Sequence, residues 1–413
     1  MNGFTTGDAE DTENGKKGKR EKGKRETLTR FPYPPSFPLC PPRPLWLIFD
    51  WKTINWETSM TTNGAARISS AALRAFSKRA FLAAGLSDAD ASTVAELMAQ
   101  ADLYGADGHG VFRLPQYIRR IKAGGVNKTP NIRVLRETAA TALIDGDNAM
   151  GHLVMKRAAE LAVEKARTAG MGWVGARLSN HAGPALLYAR IPMAADMIGL
   201  YLAVGNANHL APWGGIDMLL STNPIAVAVP ALEEPPIVLD MATTVAAYGK
   251  VKTAAQRGET MPVGWMIDRL GNPLTDPNRA DEGILLPIGG YKGYGLSLII
   301  GLLAGTLNGA AMGRGVVDFN ADDKATTNTG QAVMAISIDA FGDRTEFKRK
   351  VDTVARDIRG SKRLPGYDRI WLPGEQSAAK RVDRELNGIP IPPQLMSGLH
   401  RLASALGIET IRV

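Results

Sequence analysis

The chain has 413 residues, 45% hydrophobic and 22% charged, a globular balance long enough for two or three domains around sizeable cores. Its only cysteine, Cys40, excludes an intramolecular disulfide and a CxxC redox or zinc site, so the cytoplasm is the expected location. The net charge is +8, but residues 1–59 carry ten Lys/Arg against eight Asp/Glu, and the remaining +6 forms no dense basic stripe; carboxylates and nucleotide phosphates are better-matched partners than nucleic acid.

Residues 1–59 read as a preface to the folded part. They are polar and basic from 14 to 30, with Lys16, Lys17, Lys19, Arg20, Lys22, Lys24 and Arg25, then proline-rich from Pro32 to Pro44. This composition favours a solvated disordered tail, with a basic nucleic-acid-binding segment as the rival reading, and Met60 is the expected natural start. From Ser69, Leu73, Phe76, Ala80 and Ala84 recur at helical spacing and Gly85 stops the segment. Ser87-Asp-Ala-Asp90 caps a second helix, and a third is expected from Val111 to Ile121, halting at Gly124-Gly125.

Between 140 and 340 short apolar runs alternate with helices. Helices are expected at 152–169 and 184–195, and strands at 173–176, 198–204, 225–229, 237–239 and 332–338, giving an α/β domain with one mixed sheet. The uncharged stretch 296–313 is long enough to consider as a membrane span. Its Ser297, Thr306, Asn308 and four glycines favour a buried helix, with Gly301, Gly305 and Gly309 admitting a close neighbour. Helices at 344–358, 375–386 and 393–405 close the chain.

Gly170-Met-Gly-Trp-Val-Gly175 matches a dinucleotide-binding glycine pattern, yet a helix precedes it and a strand follows. No helix N-terminus is there to receive a pyrophosphate, so it reads as a helix-to-strand turn. The five histidines show no HExxH or HxH pairing, so no metal site is expected. His109 and Arg113, four residues apart, share a face if the segment is helical. Together they would suit a 2-oxo acid, with a fork for the carboxylate and a proton donor for the ketone; a surface pair explains the spacing equally well. His181 lies in a loop after a strand and before a helix, where α/β proteins place functional groups, and Gly183 opens that helix. His209 follows another strand. Asp240 closes a strand ahead of an expected helix, where it either caps the helix or orients a partner. Gly289-Gly-Tyr-Lys-Gly-Tyr-Gly295 could cradle a pyrophosphate, with Lys292 as counter-charge.

Five segments, in order, resemble the type-2 malate/L-lactate dehydrogenase family of NAD(P)-dependent oxidoreductases. They are Asp107-Gly-His-Gly-Val-Phe-Arg-Leu-Pro-Gln-Tyr117, Ser179-Asn-His-Ala-Gly183, Ala211-Pro-Trp-Gly-Gly215 with Ser221-Thr-Asn-Pro224, Leu239-Asp-Met-Ala-Thr243, and Gly290-Tyr-Lys-Gly-Tyr-Gly-Leu296. Pro373-Gly-Glu375 and Gly388-Ile389 fit as well. The family includes ureidoglycolate and sulfolactate dehydrogenases, 2,3-diketogulonate reductase and piperideine-2-carboxylate reductase. The resemblance implies a non-Rossmann, mixed-sheet cofactor domain over 141–340, a helical domain built from 64–140 and 341–413, an extension at 1–63, and a homodimer. It implies hydride transfer between NAD or NADP and a small 2-oxo or 2-hydroxy acid, with cyclic-imine reduction as the alternative. His181 is the implied proton donor and acceptor, with His109 and Arg113 beside nicotinamide and substrate and Asp240 orienting a catalytic group or water. Gly183, Pro184, Ala185, Leu239, Asp240, Met241, Ala242, Thr243 and Lys292 are the implied cofactor contacts. The rate is expected to titrate near histidine's ordinary value of about 6.5. Gly108 stands where the family usually has serine, and Gly301 where an acidic residue is common, so the substrate is left open.

Overall fold

The computed structural model describes residues 65–411, apart from the side chains of Gln256 and Arg257. The expectations for the basic preface and for Met60 lie outside the described residues. The described part opens with strand β1 (Ala66–Ile68) and helices α1 (Ser70–Ala84) and α2 (Asp88–Leu103). Both expected caps form. The Ser69 hydroxyl accepts from the Ala72 N–H, Ser87 accepts from the Asp90 N–H, and Gly85 ends α1 in the left-handed region. The third helix, α3 (Leu114–Ala123), starts later than its periodicity suggests, because residues 107–109 and 111–113 form two short 3₁₀ turns broken at Gly110.

Strands β2 (Arg133–Glu137) and β3 (Thr141–Ala149) lead into α4 (Gly151–Ala169), β4 (Met171–Ser179), α5 (Leu186–Ala194), β5 (Met197–Ala203), β6 (Ile225–Val229) and β7 (Ile237–Met241). The glycine pattern at 170–175 is the expected helix-to-strand turn. Gly170 ends α4 at φ +80°, and side chains at Gly172 and Gly175 would overlap the Ala162 carbonyl and Asn308. Helix α6 (Tyr248–Arg257), with the short strands β8 (Met266–Ile267), β9 (Pro273–Leu274) and β10 (Ile284–Leu285), builds a small lobe around Val251, Met261, Met266 and Leu285. The helix expected directly after Asp240 does not form there: Thr243 to Val245 instead hydrogen-bond to Thr222, Leu286 and Ile288, and helix resumes only at Tyr248.

Helix α7 (Tyr291–Ala304) follows the glycine loop, and β11 (Gln331–Ser337) enters the middle of the sheet. The strand order is β2-β3-β4-β11-β5-β6-β7, and every adjacent pair is antiparallel except β3 and β4, which α4 connects. The expected mixed α/β sheet is therefore present. The expectation that the apolar stretch from 296 is a buried helix needs correction. Gly293, Ser297, Ile300, Gly301 and Ala304 are buried, while Leu296, Ile299, Leu302, Leu303 and Leu307 are exposed. The small residues do admit a close neighbour, since a Cβ on Gly301 would press on Met312 and one on Gly305 on Val204. No described helix is long and apolar enough to cross a membrane.

Helices α8 (Arg344–Gly360) and α9 (Glu375–Asn387), strand β12 (Ile389–Ile391) and helix α10 (Pro393–Leu406) complete the chain. β12 pairs antiparallel with β1, and Met396, Leu399 and Ala403 share an apolar cluster with Ile68, Leu73, Phe76, Leu114 and Ile121. The two ends of the described chain are thereby joined across the helices that carry residues 107–117.

Candidate active site

The loop between β4 and α5 is locked before it presents any chemistry. Asn180 is buried, donating to the Asn148 and Ala149 carbonyls at 2.9 and 3.0 Å and accepting from the Thr327 hydroxyl at 2.8 Å. The Ser179 hydroxyl donates to Gln331 on β11 at 2.6 Å. A Cβ on Gly151 would overlap the Asn180 carbonyl, so the first turn of α4 lies directly against this loop. His181 is thus held by backbone anchored to three strands.

Three elements converge on the His181 ring. Tyr117 of α3 places its hydroxyl 2.6 Å from Nδ1, and the Gly183 N–H donates to the same nitrogen at 3.3 Å. An N–H can only donate, so Nδ1 is an acceptor and, with no substrate bound, the neutral ring carries its proton on Nε2, which has no partner among the described residues. His109 stacks on His181 with ring centres 5.3 Å apart, and Phe319 stacks at 5.6 Å. Gly183 sits at φ +78°, where a side chain would be strained and would meet His152.

His109 and Arg113 do not lie on one helix, yet the 3₁₀ turns bring them together. Gly110 makes the turn, for any side chain there would collide with the Asp102 carboxylate, which instead accepts from the Val111 N–H at 2.9 Å. Asp107 is paired with Arg384 of α9. Arg113 donates from Nε to the Gly108 carbonyl at 3.0 Å and from Nη1 to Gln116 at 2.7 Å, and among the described residues Nη2 has no partner. Two turns on, buried Arg120 donates to the Phe319, Asp322 and Ala325 carbonyls and stacks on Phe319, whose ring stacks in turn on His181.

The cluster is electrostatically hostile to a further positive charge. Burial, reinforced by Arg113, lowers His109 to about 4. Burial lowers His152 to about 3, with His109 adding to it, and neither ring nitrogen of His152 has a hydrogen-bond partner among the described residues. Burial, then Arg113, His109 and His152, holds His181 well below 6.5, which displaces the titration expected near that value. Among the described residues no carboxylate counters this positive field, so a cationic imidazole becomes favourable when an anion enters.

Asp240 is placed elsewhere. Its carboxylate accepts from the Leu186 N–H at the start of α5 at 3.1 Å and bonds none of the three clustered histidines. It therefore caps a helix more than fifty residues earlier in the chain, and desolvation by the protein around it, partly offset by the Leu186 N–H, raises it to about 6 although its side chain is open to the cavity it lines. It lines a cavity with Leu239, Leu186, Tyr104, Arg190, Pro373, Gly374 and Ser377. Arg190 lies 4.5 Å over the Tyr104 ring and has no hydrogen-bond or ionic partner among the described residues. A carboxylate able to bind hydroxyls beside an uncommitted guanidinium suits the ribose and phosphate groups of a dinucleotide. Pro184 and Ala185 are buried between this cavity and His181, with Met241 and Ala242 half-buried beyond Asp240. Thr243 is fully buried, and its hydroxyl and N–H both donate to the Thr222 carbonyl, so it supports the segment and offers no free donor. Lys292 is exposed in the first turn of α7, after Gly289 and Gly290, in a segment tied to Thr243 through the Ile288 N–H.

Sequence reasoning missed Tyr117, His152, Arg120 and Phe319. Tyr117 carried a usable signal, four residues after Arg113 on an amphipathic helix. The others are brought in by packing between segments far apart in the chain.

Residues 68–400 match the sequence profile of the malate/L-lactate dehydrogenase family. The chain is 39% identical to malate dehydrogenase of Pyrococcus horikoshii over 363 residues, covering 86% of this chain and 99% of that protein. A solved structure of malate dehydrogenase from that organism superposes with a TM-score of 0.77, over 84% of this chain and 97% of its own. L-sulfolactate dehydrogenase of Methanocaldococcus jannaschii is 38% identical over 325 residues, 79% of this chain and 93% of that one. Delta1-piperideine-2-carboxylate reductase of Pseudomonas syringae superposes at 0.73 with 29% identity, over 82% and 100% of the two chains. The chain belongs to the malate/L-lactate dehydrogenase family and is a dehydrogenase of 2-hydroxy acids.

Proposed function

We propose that the chain interconverts a small 2-hydroxy acid and its 2-oxo acid with NAD or NADP, and that His181 moves the proton. The observation that carries this is the His181 ring itself, fixed by Tyr117 and Gly183 through Nδ1 with Nε2 left without a protein partner. Bound NAD or NADP supplies the hydride donor or acceptor. The Gly183, Pro184 and Ala185 loop, residues 239–243 and Lys292 would hold it, with Asp240 toward ribose hydroxyls and Arg190 toward phosphate.

Arg113 takes the substrate carboxylate through its remaining donors, its other donors having fixed its orientation on Gly108 and Gln116. The carboxylate offsets the positive field, and in oxidation His181 takes the hydroxyl proton at Nε2 in the tautomer whose own proton has moved to Nδ1, returning the Nε2 proton in reduction. In that tautomer and in the cation the Nδ1–H donates to the Tyr117 hydroxyl oxygen, which turns its own hydrogen away, and the longer Gly183 N–H contact is given up. His109 fixes the plane of the His181 ring by stacking on it. Asp240 acts as a positioning residue, holding the start of α5 and with it the loop after His181. The terminal helices form the second domain of this reading, and the exposed apolar face of α7 is the proposed homodimer contact.

The test is a screen of NAD+ and NADP+ reduction against malate, lactate and sulfolactate. Turnover of at least one of them supports the reading; turnover of cyclic imino acids alone would contradict it.

A further inference from the structure

The cavity that Asp240 lines holds a second charged side chain, Arg190 of α5, with Tyr104, Leu186, Gly374 and Ser377 among its other walls. Close packing builds it. A Cβ on Gly374, which opens α9, would meet the backbone of Val238, and the Val238 N–H donates to the Pro373 carbonyl at 3.0 Å. The start of α9 is thereby pressed onto β7 two residues before Asp240.

Arg190 is held in this wall by stacking alone. Its guanidinium lies 4.5 Å from the centre of the Tyr104 ring, and that of Arg381 lies 4.8 Å from the same centre. Arg381 is committed, donating to Gln100 at 2.5 Å and pairing with Glu385 at 2.8 Å. Arg190 has neither a hydrogen bond nor an ion pair among the described residues, so Nε, Nη1 and Nη2 all remain available. Burial lowers its pKa, with Tyr104 opposing and Arg381 adding, and no carboxylate contributes. Asp240 shares the cavity without pairing to it, one oxygen being held by the Leu186 N–H. The Ser377 hydroxyl has no hydrogen bond among the described residues either.

A guanidinium stacked on a ring keeps its N–H edge open, and that edge matches the oxygens of a phosphate. Two phosphates of a dinucleotide could fill it. The pyrophosphate carries one charge on each phosphorus, and the glycine loop before α7 with Lys292, outside this cavity's lining, is a separate candidate for it. A phosphomonoester carries nearly two charges on three terminal oxygens, a closer match to a whole unused fork with a free hydroxyl beside it. A carboxylate for ribose hydroxyls in the same cavity sets that phosphate next to a ribose, which is where NADP differs from NAD.

Resting on the proposed reaction, we infer that Arg190, assisted by Ser377, is a specificity-determining residue that receives the 2′-phosphate of NADP. The chain should accordingly prefer NADP to NAD.

The test titrates NADPH and NADH into full chains of wild type, Arg190→Leu and Arg190→Lys, followed by cofactor fluorescence. Wild type should bind NADPH more tightly than NADH. The ratio of the two affinities is expected to fall roughly 10- to 100-fold in Arg190→Leu, the loss of one charge-assisted contact, and by less in Arg190→Lys, which keeps the charge without the fork. Thermal stabilisation by 2′,5′-ADP should exceed that by 5′-AMP in wild type, and the difference should vanish in Arg190→Leu. Equal losses for both cofactors would assign Arg190 to the pyrophosphate and overturn the inference. An unchanged ratio, or a wild type that prefers NADH, would overturn it too. Binding of neither cofactor to wild type would instead overturn the reaction on which the inference rests.

Discussion

At the scale of the residue, the site is governed by what burial does to histidine. His109 and His152 are lowered to about 4 and about 3, whereas an unfolded chain binds their protons near 6.5. Below 6.5 the unfolded state gains protons that the folded state refuses, so stability is complete above 6.5 and declines as pH falls toward 4. A melting series in pH should show that decline, and His152→Leu should flatten part of it, because an apolar ring replacement removes two unpartnered nitrogens without opening a cavity. An acid limb identical to wild type would return His152 to a group already neutralised by other means. Tyr117→Phe leaves the fold intact and removes the partner of Nδ1; kcat should fall about tenfold, close to 1.4 kcal/mol, with KM little changed. Equal effects on cofactor affinity would place Tyr117 in a structural role. The convergence of His181, His109 and Arg113 could be anticipated from the sequence, where His181 lies in a loop after a strand and His109 stands between two glycines four residues before Arg113, although a surface pair explained that spacing equally well. Arg120 was not, because its partners are backbone carbonyls of residues 319–325, whose approach no local pattern encodes.

At the scale of the element, helices with strong periodicity and clear caps were legible to within a few residues, as α1, α2, α8, α9 and α10 show. Strand β2 was not, since it is an exposed edge with no alternation to read, and the Asp- and Gly-bearing end of β3 concealed a strand buried within the sheet. Helix α7 is the instructive intermediate. Of the run 296–313 read as helix, only the part to Ala304 is α-helical, and one chain covers only its small-residue side. Leu296, Ile299, Leu303 and Leu307 recur along the opposite side, and leaving such a stripe in water costs about 25 cal/mol for each Å². If it is the proposed dimer contact, Ile299→Asp with Leu303→Asp should convert a dimer to a monomer by light scattering, while each chain keeps its secondary structure. A wild-type protein that scatters as a monomer at micromolar concentration would contradict the assignment.

At the scale of the whole molecule, the site exists because distant segments are forced together. The 3₁₀ turns bearing His109 and Arg113 are clamped by Arg384 of α9, and β1 and β12 tie that helix to the start of the described chain. The described residues belong to one compact unit, so a chain begun at Met60 should keep its melting temperature; a large drop would show that earlier residues contribute. The measurement that bears most directly on the central claim is the turnover of His181→Ala beside its NAD(P)H affinity, followed by fluorescence. If His181 carries the proton, cofactor affinity should hold within about twofold, and kcat should fall roughly 10²- to 10⁴-fold, the usual contribution of a positioned acid–base group. Near-normal turnover in that variant would contradict the account, above all if His109→Ala abolished it.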